Sequence, residues 1–140
     1  MMDPRKLSEA YSVSPQIMPE DIPEIAKSGF RALMCNRPDG EEHGQPDYDR
    51  VAQAAAEAGL EVRWVPIVSG RVTQEDLQAF GEALAEMPAP MLAYCRSGTR
   101  CAMLWTITQF GTLSDQEILN ATSGAGYDMA GLLQQLRSQA

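Results

Sequence analysis

A cysteine and an arginine bracket the run Cys95-Arg96-Ser97-Gly98-Thr99-Arg100, a spacing suited to nucleophilic chemistry on an anion. Pro90-Met91-Leu92-Ala93-Tyr94 before it reads as a short buried strand, and Cys101 to Ile107 after it as the start of an apolar helix. A loop at that junction aims backbone N–H groups and the positive helix end at one point. Such surroundings lower a cysteine pKa from about 8.5 to roughly 3.5–7.5, which makes Cys95 a thiolate nucleophile in the cell. Gly98 lets the backbone approach an anion, Ser97 and Thr99 can hold the loop in shape, and Arg100 can grip two oxygens at once. The competing reading is a buried core cysteine with a surface arginine beside it.

The elements that must position this loop follow from periodicity and punctuation. Strands are expected at Tyr11–Val13, Phe30–Cys35, Leu60–Ile67 and Pro90–Tyr94. Helices are expected from Pro19 to Gly29, over about 47–58, from Thr73 to before Pro88, from Cys101 onward, and near 114–121 and 127–138. Thr73 with Asp76 three residues later marks a helix start. This alternation implies a single α/β domain over residues 1–140, with a mainly parallel sheet of four to five strands flanked by helices. Loops at the carboxyl ends of such strands build the site. The loops after Cys35, Ile67 and Tyr94 can therefore meet.

Composition narrows the function classes. The chain has 140 residues, 44% hydrophobic and 21% charged, as in ordinary globular domains. A net charge of −8 argues against nucleic-acid binding, and no apolar run is long enough for membrane insertion. The N-terminus carries no apolar signal segment, so a cytoplasmic location is expected. Three cysteines and a single His43 suit neither a disulfide framework nor a metal site, and no cofactor is implied. Nine of the eleven cations are arginines, and Arg37, Arg71, Arg96 and Arg100 all follow expected strands. Their convergence would make an electropositive pocket on an acidic protein.

The Cys95–Arg100 loop resembles the active loop of rhodanese-type sulfurtransferases. Most of the chain also resembles a bacterial DUF442-type family, described as phosphatase-like or beta-lactamase-hydrolase-associated. The resemblance rests on Ser14-Pro15-Gln16-Ile17, Asn36-Arg37-Pro38-Asp39-Gly40-Glu41, Val68-Ser69-Gly70-Arg71, Ala93–Arg100 and Ala125-Gly126-Tyr127-Asp128. It implies a fold like that of dual-specificity phosphatases, with links to sulfide and persulfide metabolism. Cysteine phosphatases place five residues between nucleophile and arginine, whereas four lie between Cys95 and Arg100, the rhodanese length. Tyr94 stands where phosphatases have histidine, Val68-Ser69-Gly70 where they have an acidic residue, and Cys101 where they have a hydroxyl. Losing a general acid costs about 10²–10⁴-fold in rate. Asp39 or Glu41 could supply the proton, or serve only as polar turn residues.

These departures favour sulfur transfer through a Cys95 persulfide, from thiosulfate or a persulfide to a thiol acceptor. Arg100 and the loop N–H groups would stabilise the anions, with Arg96, Arg37 and Arg71 assisting. The alternative is a phosphatase passing through phosphocysteine. A non-catalytic module sensing sulfide-derived anions is the third reading. The partners expected are a small sulfur-containing or phosphorylated substrate and a thiol acceptor or sulfur-oxidising enzyme. Cys101 could resolve the persulfide or simply face the core, and Cys35 reads as core. Tyr127 and Asp128 could line a pocket or cap the last helix, and Trp64 and Trp105 read as core aromatics.

Overall fold

Three four-residue strands buried along their whole length form the centre of the sheet, two of them, Ala32–Cys35 and Met91–Tyr94, apolar runs and the third, Tyr11–Ser14, carrying two buried serines. The computed structural model describes residues 3–139. The strands are β1 (Arg5–Ser8), β2 (Tyr11–Ser14), β3 (Ala32–Cys35), β4 (Glu61–Trp64) and β5 (Met91–Tyr94). The helices are α1 (Ile22–Lys27), α2 (Tyr48–Glu57), α3 (Gln74–Glu86), α4 (Thr99–Gln109), α5 (Asp115–Gly124) and α6 (Ala130–Gln139). A short 3-10 turn at Pro19–Asp21 leads into α1.

The sheet runs in the order β1-β2-β5-β3-β4. β2, β5, β3 and β4 are parallel, and β1 pairs antiparallel with β2. Ser14, Tyr94 and Cys35 stand in register across β2, β5 and β3, with Trp64 opposite Cys35 on β4. Four carboxyl ends thus emerge at one edge. β5 lies between β2 and β3, so its following loop opens into the crevice where a parallel sheet binds ligands.

Alternation along the strands divides the core into two layers. Leu33, Cys35, Leu92 and Tyr94 pack with Ile22 and Ile25 of α1 and Val51 and Ala55 of α2. Ala32, Met34, Met91, Ala93 and Cys95 face the other way, onto Phe80 of α3, Leu104 and Trp105 of α4, Ile118 of α5 and Leu133 of α6. Cys95 thus continues the face of Ala93 and points toward α4.

β1 lies outside the expected strands. Its sequence, Arg-Lys-Leu-Ser, buries only Leu7 and carries two cations, so it has no strand periodicity to read. The third expected strand is regular only to Trp64, because Pro66 has no N–H to continue the ladder, although the Val65 and Ile67 N–H groups still donate to the Cys35 and Asn36 carbonyls at 2.9 and 3.2 Å. α4 begins two residues earlier than Cys101. The start of α3 matches expectation, with Thr73 Oγ1 accepting the Asp76 N–H and an Asp76 carboxylate oxygen accepting the Thr73 N–H, both at 3.0 Å.

Trp105 is a core residue, 3% exposed and stacked on Tyr11. Trp64 is not: it is 39% exposed. It sits on the edge strand, covered by Tyr48 at a ring distance of 4.9 Å, and its indole N–H donates to the Arg37 carbonyl at 3.0 Å. Among the described residues no helix is long and apolar enough to cross a membrane.

Candidate active site

Cys95 leaves the end of β5 with 1% of its surface exposed, and its Sγ meets donors from the loop and from α4. The Gly98 N–H donates to it at 3.1 Å. The Cys101 thiol, opposed by burial and aided by the N–H groups of Cys101, Arg100 and Gly98, brings the Cys95 pKa down to about 5. Cys95 is accordingly a thiolate at neutral pH. Burial pushes Cys101 well above the ordinary thiol value, so it stays protonated and can donate. Cys35, held up at about 11 by burial, is inert by comparison. All three cysteines are free and buried.

The loop is held by its neighbours at several points. Gly98 has φ +91°, a left-handed conformation natural to glycine. A Cβ there would fall 2.1 Å from the Tyr127 hydroxyl oxygen. Ser97 and Thr99 join their hydroxyls at 2.9 Å. The segment after β2 lies alongside: the Gln16 N–H donates to the Arg96 carbonyl at 3.2 Å, and the Cys95 N–H to the Ser14 carbonyl at 3.4 Å.

Arg100, on the first turn of α4, is 7% exposed. Its Nη1 donates to the Ile67 carbonyl and to Glu41 Oε2, and its Nη2 to Glu41 Oε1, each at 2.8 Å. A guanidinium has five N–H donors in a fixed plane. Three are taken, and the remaining Nε–H and Nη2–H lie on one edge, the fork that matches two oxygens of a tetrahedral anion. Glu41 is in turn held by Arg37 Nε at 2.8 Å. Arg37 is 1% exposed and reaches Gln16 Oε1 at 2.9 Å and Glu42 Oε1 at 3.2 Å. Arg100 foremost, with Arg37, holds the Glu41 carboxyl below the ordinary carboxylate range, so it is ionised at neutral pH.

The four arginines do not all meet. Arg37, Arg96 and Arg100 line one cavity of about 260 Å³ with Glu41 and Ser69. A neighbouring cavity of about 340 Å³ extends over Ser97, Thr99, Gly70 and Met103. Arg96 is mostly solvent-exposed and lies 3.6 Å from Glu42. Arg71 is exposed outside both linings, on a turn where its N–H donates to the Val68 carbonyl at 3.0 Å. Asp39 accepts the Tyr48 N–H at 2.8 Å, at the start of α2.

Two partners of the site hold positions that the sequence does not indicate. Gln16 belongs to a motif from which no role could be read, yet it joins the loop after β2 to both Arg96 and Arg37. For Glu41 the sequence offers a proton source or a polar turn residue, whereas its geometry is that of a carboxylate shared between two arginines. A usable signal lay in Arg37 itself, with Glu41 and Glu42 four and five residues on. Among the described residues, no three His, Cys, Asp or Glu side chains are grouped to hold a metal ion.

Comparison with known proteins bears on the same constellation. The family model described as the phosphatase-like domain of beta-lactamase hydrolase-like protein matches residues 3–112. A beta-lactamase hydrolase-like protein from Xylella fastidiosa strain Temecula1 is 32% identical over 96% of this chain, which spans 32% of that relative's length. A candidate phosphatase from Neisseria meningitidis superposes with a TM-score of 0.85 and 31% identity, covering 97% of both chains. Kinase-associated phosphatase, solved with its catalytic-site cysteine replaced by serine, shares the fold at a TM-score of 0.65 and 15% identity. The match covers 99% of this chain and 94% of that one. The fold is that of cysteine-dependent, dual-specificity-like phosphatases.

Proposed function

The chain belongs to the phosphatase-like domain family of beta-lactamase hydrolase-like proteins, and on that footing we propose that it is a cysteine-dependent phosphoric monoester hydrolase. One observation carries the reading: a buried thiolate at the β5–α4 junction beside an arginine whose free edge can take two phosphate oxygens. The comparisons support it over the sulfur transfer that the loop length and the other departures from the phosphatase pattern favour. Arg96, Ser97, Gly98, Thr99 and Arg37 would complete the seat.

In this reading the Cys95 thiolate attacks phosphorus, forming an S–P bond as the P–O bond to the leaving group breaks. Loop N–H groups and the Arg100 edge stabilise the charge on the transferring group. The leaving oxygen departs as alkoxide or phenoxide, or takes a proton from water. Water then attacks the phosphocysteine, releasing inorganic phosphate and restoring the thiolate. Glu41 is ionised by its two arginines and poorly suited to donate that proton. The loop after β4 offers Ser69 and no carboxylic acid. Monoesters with acidic leaving groups, such as aryl phosphates, are therefore the best matched.

A second reading rests on the four residues between Cys95 and Arg100 and on that missing acid. Cys95 would attack the outer sulfur of thiosulfate, expel sulfite, and pass the sulfur from its persulfide to a thiol. Intact mass after exposure to aryl phosphate, thiosulfate and glutathione persulfide, beside Cys95→Ser, separates the two. The phosphatase reading expects a phosphoryl adduct on Cys95, turnover of the aryl phosphate, and inhibition by vanadate. A sulfur adduct without phosphate turnover would replace it with sulfur transfer, and binding without either reaction would leave an anion-sensing module.

A further inference from the structure

The Tyr127 hydroxyl donates to the Ser97 carbonyl at 2.9 Å. The same peptide unit carries the Gly98 N–H, which donates to Cys95 Sγ at 3.1 Å. Ser97–Gly98 is a trans peptide, so its carbonyl and N–H point in opposite directions. Tyrosine and nucleophile therefore sit at the two ends of one dipole. We propose that Tyr127 is a positioning residue that locks this peptide with its N–H on the nucleophilic sulfur.

The phenol is itself held in place. Its backbone N–H donates to the Thr122 carbonyl at 2.9 Å, which anchors the segment between α5 and α6. Arg5 of β1 lies 5.3 Å from the ring centre and reaches the Ala125 carbonyl at 3.5 Å. Tyr127 is 7% exposed, and burial keeps its hydroxyl protonated through the neutral range, so it is a donor there. Gly98 is the only residue type that fits beneath it, because a side chain at that position would collide with the phenol oxygen. Without the hydroxyl, the Ser97–Gly98 peptide is free to rotate, and its carbonyl could face the sulfur instead of its N–H. A hydrogen bond at the carbonyl also polarises the N–H, strengthening its bond to the thiolate.

The test reads the thiolate directly. Other titratable groups facing Cys95 are Arg100 and Cys101 on α4, Tyr11 on β2 and Cys35 at the end of β3, and all remain in the variant. Tyr127→Phe keeps the ring and its contact with Arg5 while deleting the donor. The midpoint of iodoacetamide alkylation at Cys95 against pH should rise by roughly half a unit, a threefold change in ionisation constant. Tyr127→Met, which fills the apolar space without an oxygen, repeats the measurement if the phenylalanine variant does not fold. An unchanged midpoint in a folded variant overturns the proposal. The inference rests on Cys95 as the nucleophile of the proposed hydrolase. The midpoint is read without substrate, so absence of turnover and absence of the shift are separate failures.

Discussion

Glu41 and Arg100 lie 59 residues apart and meet through two parallel hydrogen bonds of 2.8 Å. The pair joins the loop after β3 to the first turn of α4 and fixes the plane of the guanidinium. A planar group pinned along one edge presents its other edge in a single orientation. The carboxylate therefore orients the arginine assigned to the substrate in the proposed hydrolase, and Arg37 orients the carboxylate.

Replacing Glu41 by Gln keeps one oxygen and removes the charge that Arg37 and Arg100 share. Stability should fall by about 1 kcal/mol, since the pair is part-buried and solvent screens some of its charge, while Arg100 and Arg37 lose their shared counter-charge. Vanadate affinity and kcat/KM for an aryl phosphate should each fall at least tenfold as Arg100 loses its orientation. Thermal melts, vanadate titration and steady-state kinetics check this. A variant binding vanadate as tightly as the parent would show that Glu41 merely occupies the seat.

The ionisation of Cys95 predicts a pH-dependent stability. Its folded pKa is depressed to about 5, from 9.0 for an ordinary cysteine. The unfolded chain therefore binds one more proton between those values, and stability rises with pH across that window by up to about 1.4 kcal/mol per unit. The contribution is complete above pH 9 and lost as pH falls through 5. Cys35, raised to about 11, acts in the opposite sense only above pH 9. Urea melts of the parent against Cys95→Ser should show the extra slope between pH 5 and 9 in the parent alone. Parallel stability curves would mean that Cys95 is not an isolated thiolate in the fold.

Much of this site can be read in the sequence, because the loop is local. Strand, glycine and helix start lie within twelve residues, and the carboxyl-end rule brings the loops after β3 and β4 to it. What escapes is set by long-range partners. β1 has no periodicity because it is an edge strand burying only Leu7. Trp64 appears as core by composition but lies on the opposite edge, where one neighbour covers it. Glu41 and Tyr127 take their roles from the Arg100 side chain and the Ser97 carbonyl, 59 and 30 residues distant, separations that no local spacing encodes. Arg71 follows a strand like the other three arginines, but the turn that carries it sets it outside their cavity.

Gly98 faces two separate demands. Its φ of +91° disfavours any side chain, and a Cβ would meet the Tyr127 oxygen at 2.1 Å. Gly98→Ala should cost about 1–3 kcal/mol from backbone strain alone and more from the collision. Adding Tyr127→Phe removes the colliding oxygen and should recover part of the loss in a melt, leaving the strain. If the losses of Gly98→Ala and Tyr127→Phe simply add in the double variant, the two sites do not interact as the geometry requires.

Cys101 stands next to the loop arginine, where the resemblance to cysteine phosphatases implies a hydroxyl, and its thiol favours the Cys95 thiolate. The role needs a buried donor that stays protonated. Burial keeps the Cys101 thiol protonated by raising its pKa well above the ordinary value. A serine hydroxyl meets the same need, and alanine does not. The alkylation midpoint of Cys95 should therefore rise by about one to two units in Cys101→Ala, the equivalent of a hydrogen bond to a charged group. In Cys101→Ser it should stay near the parent value. A Cys101→Ala midpoint equal to the parent's would assign the depressed pKa to the loop N–H groups alone and reduce Cys101 to a core residue.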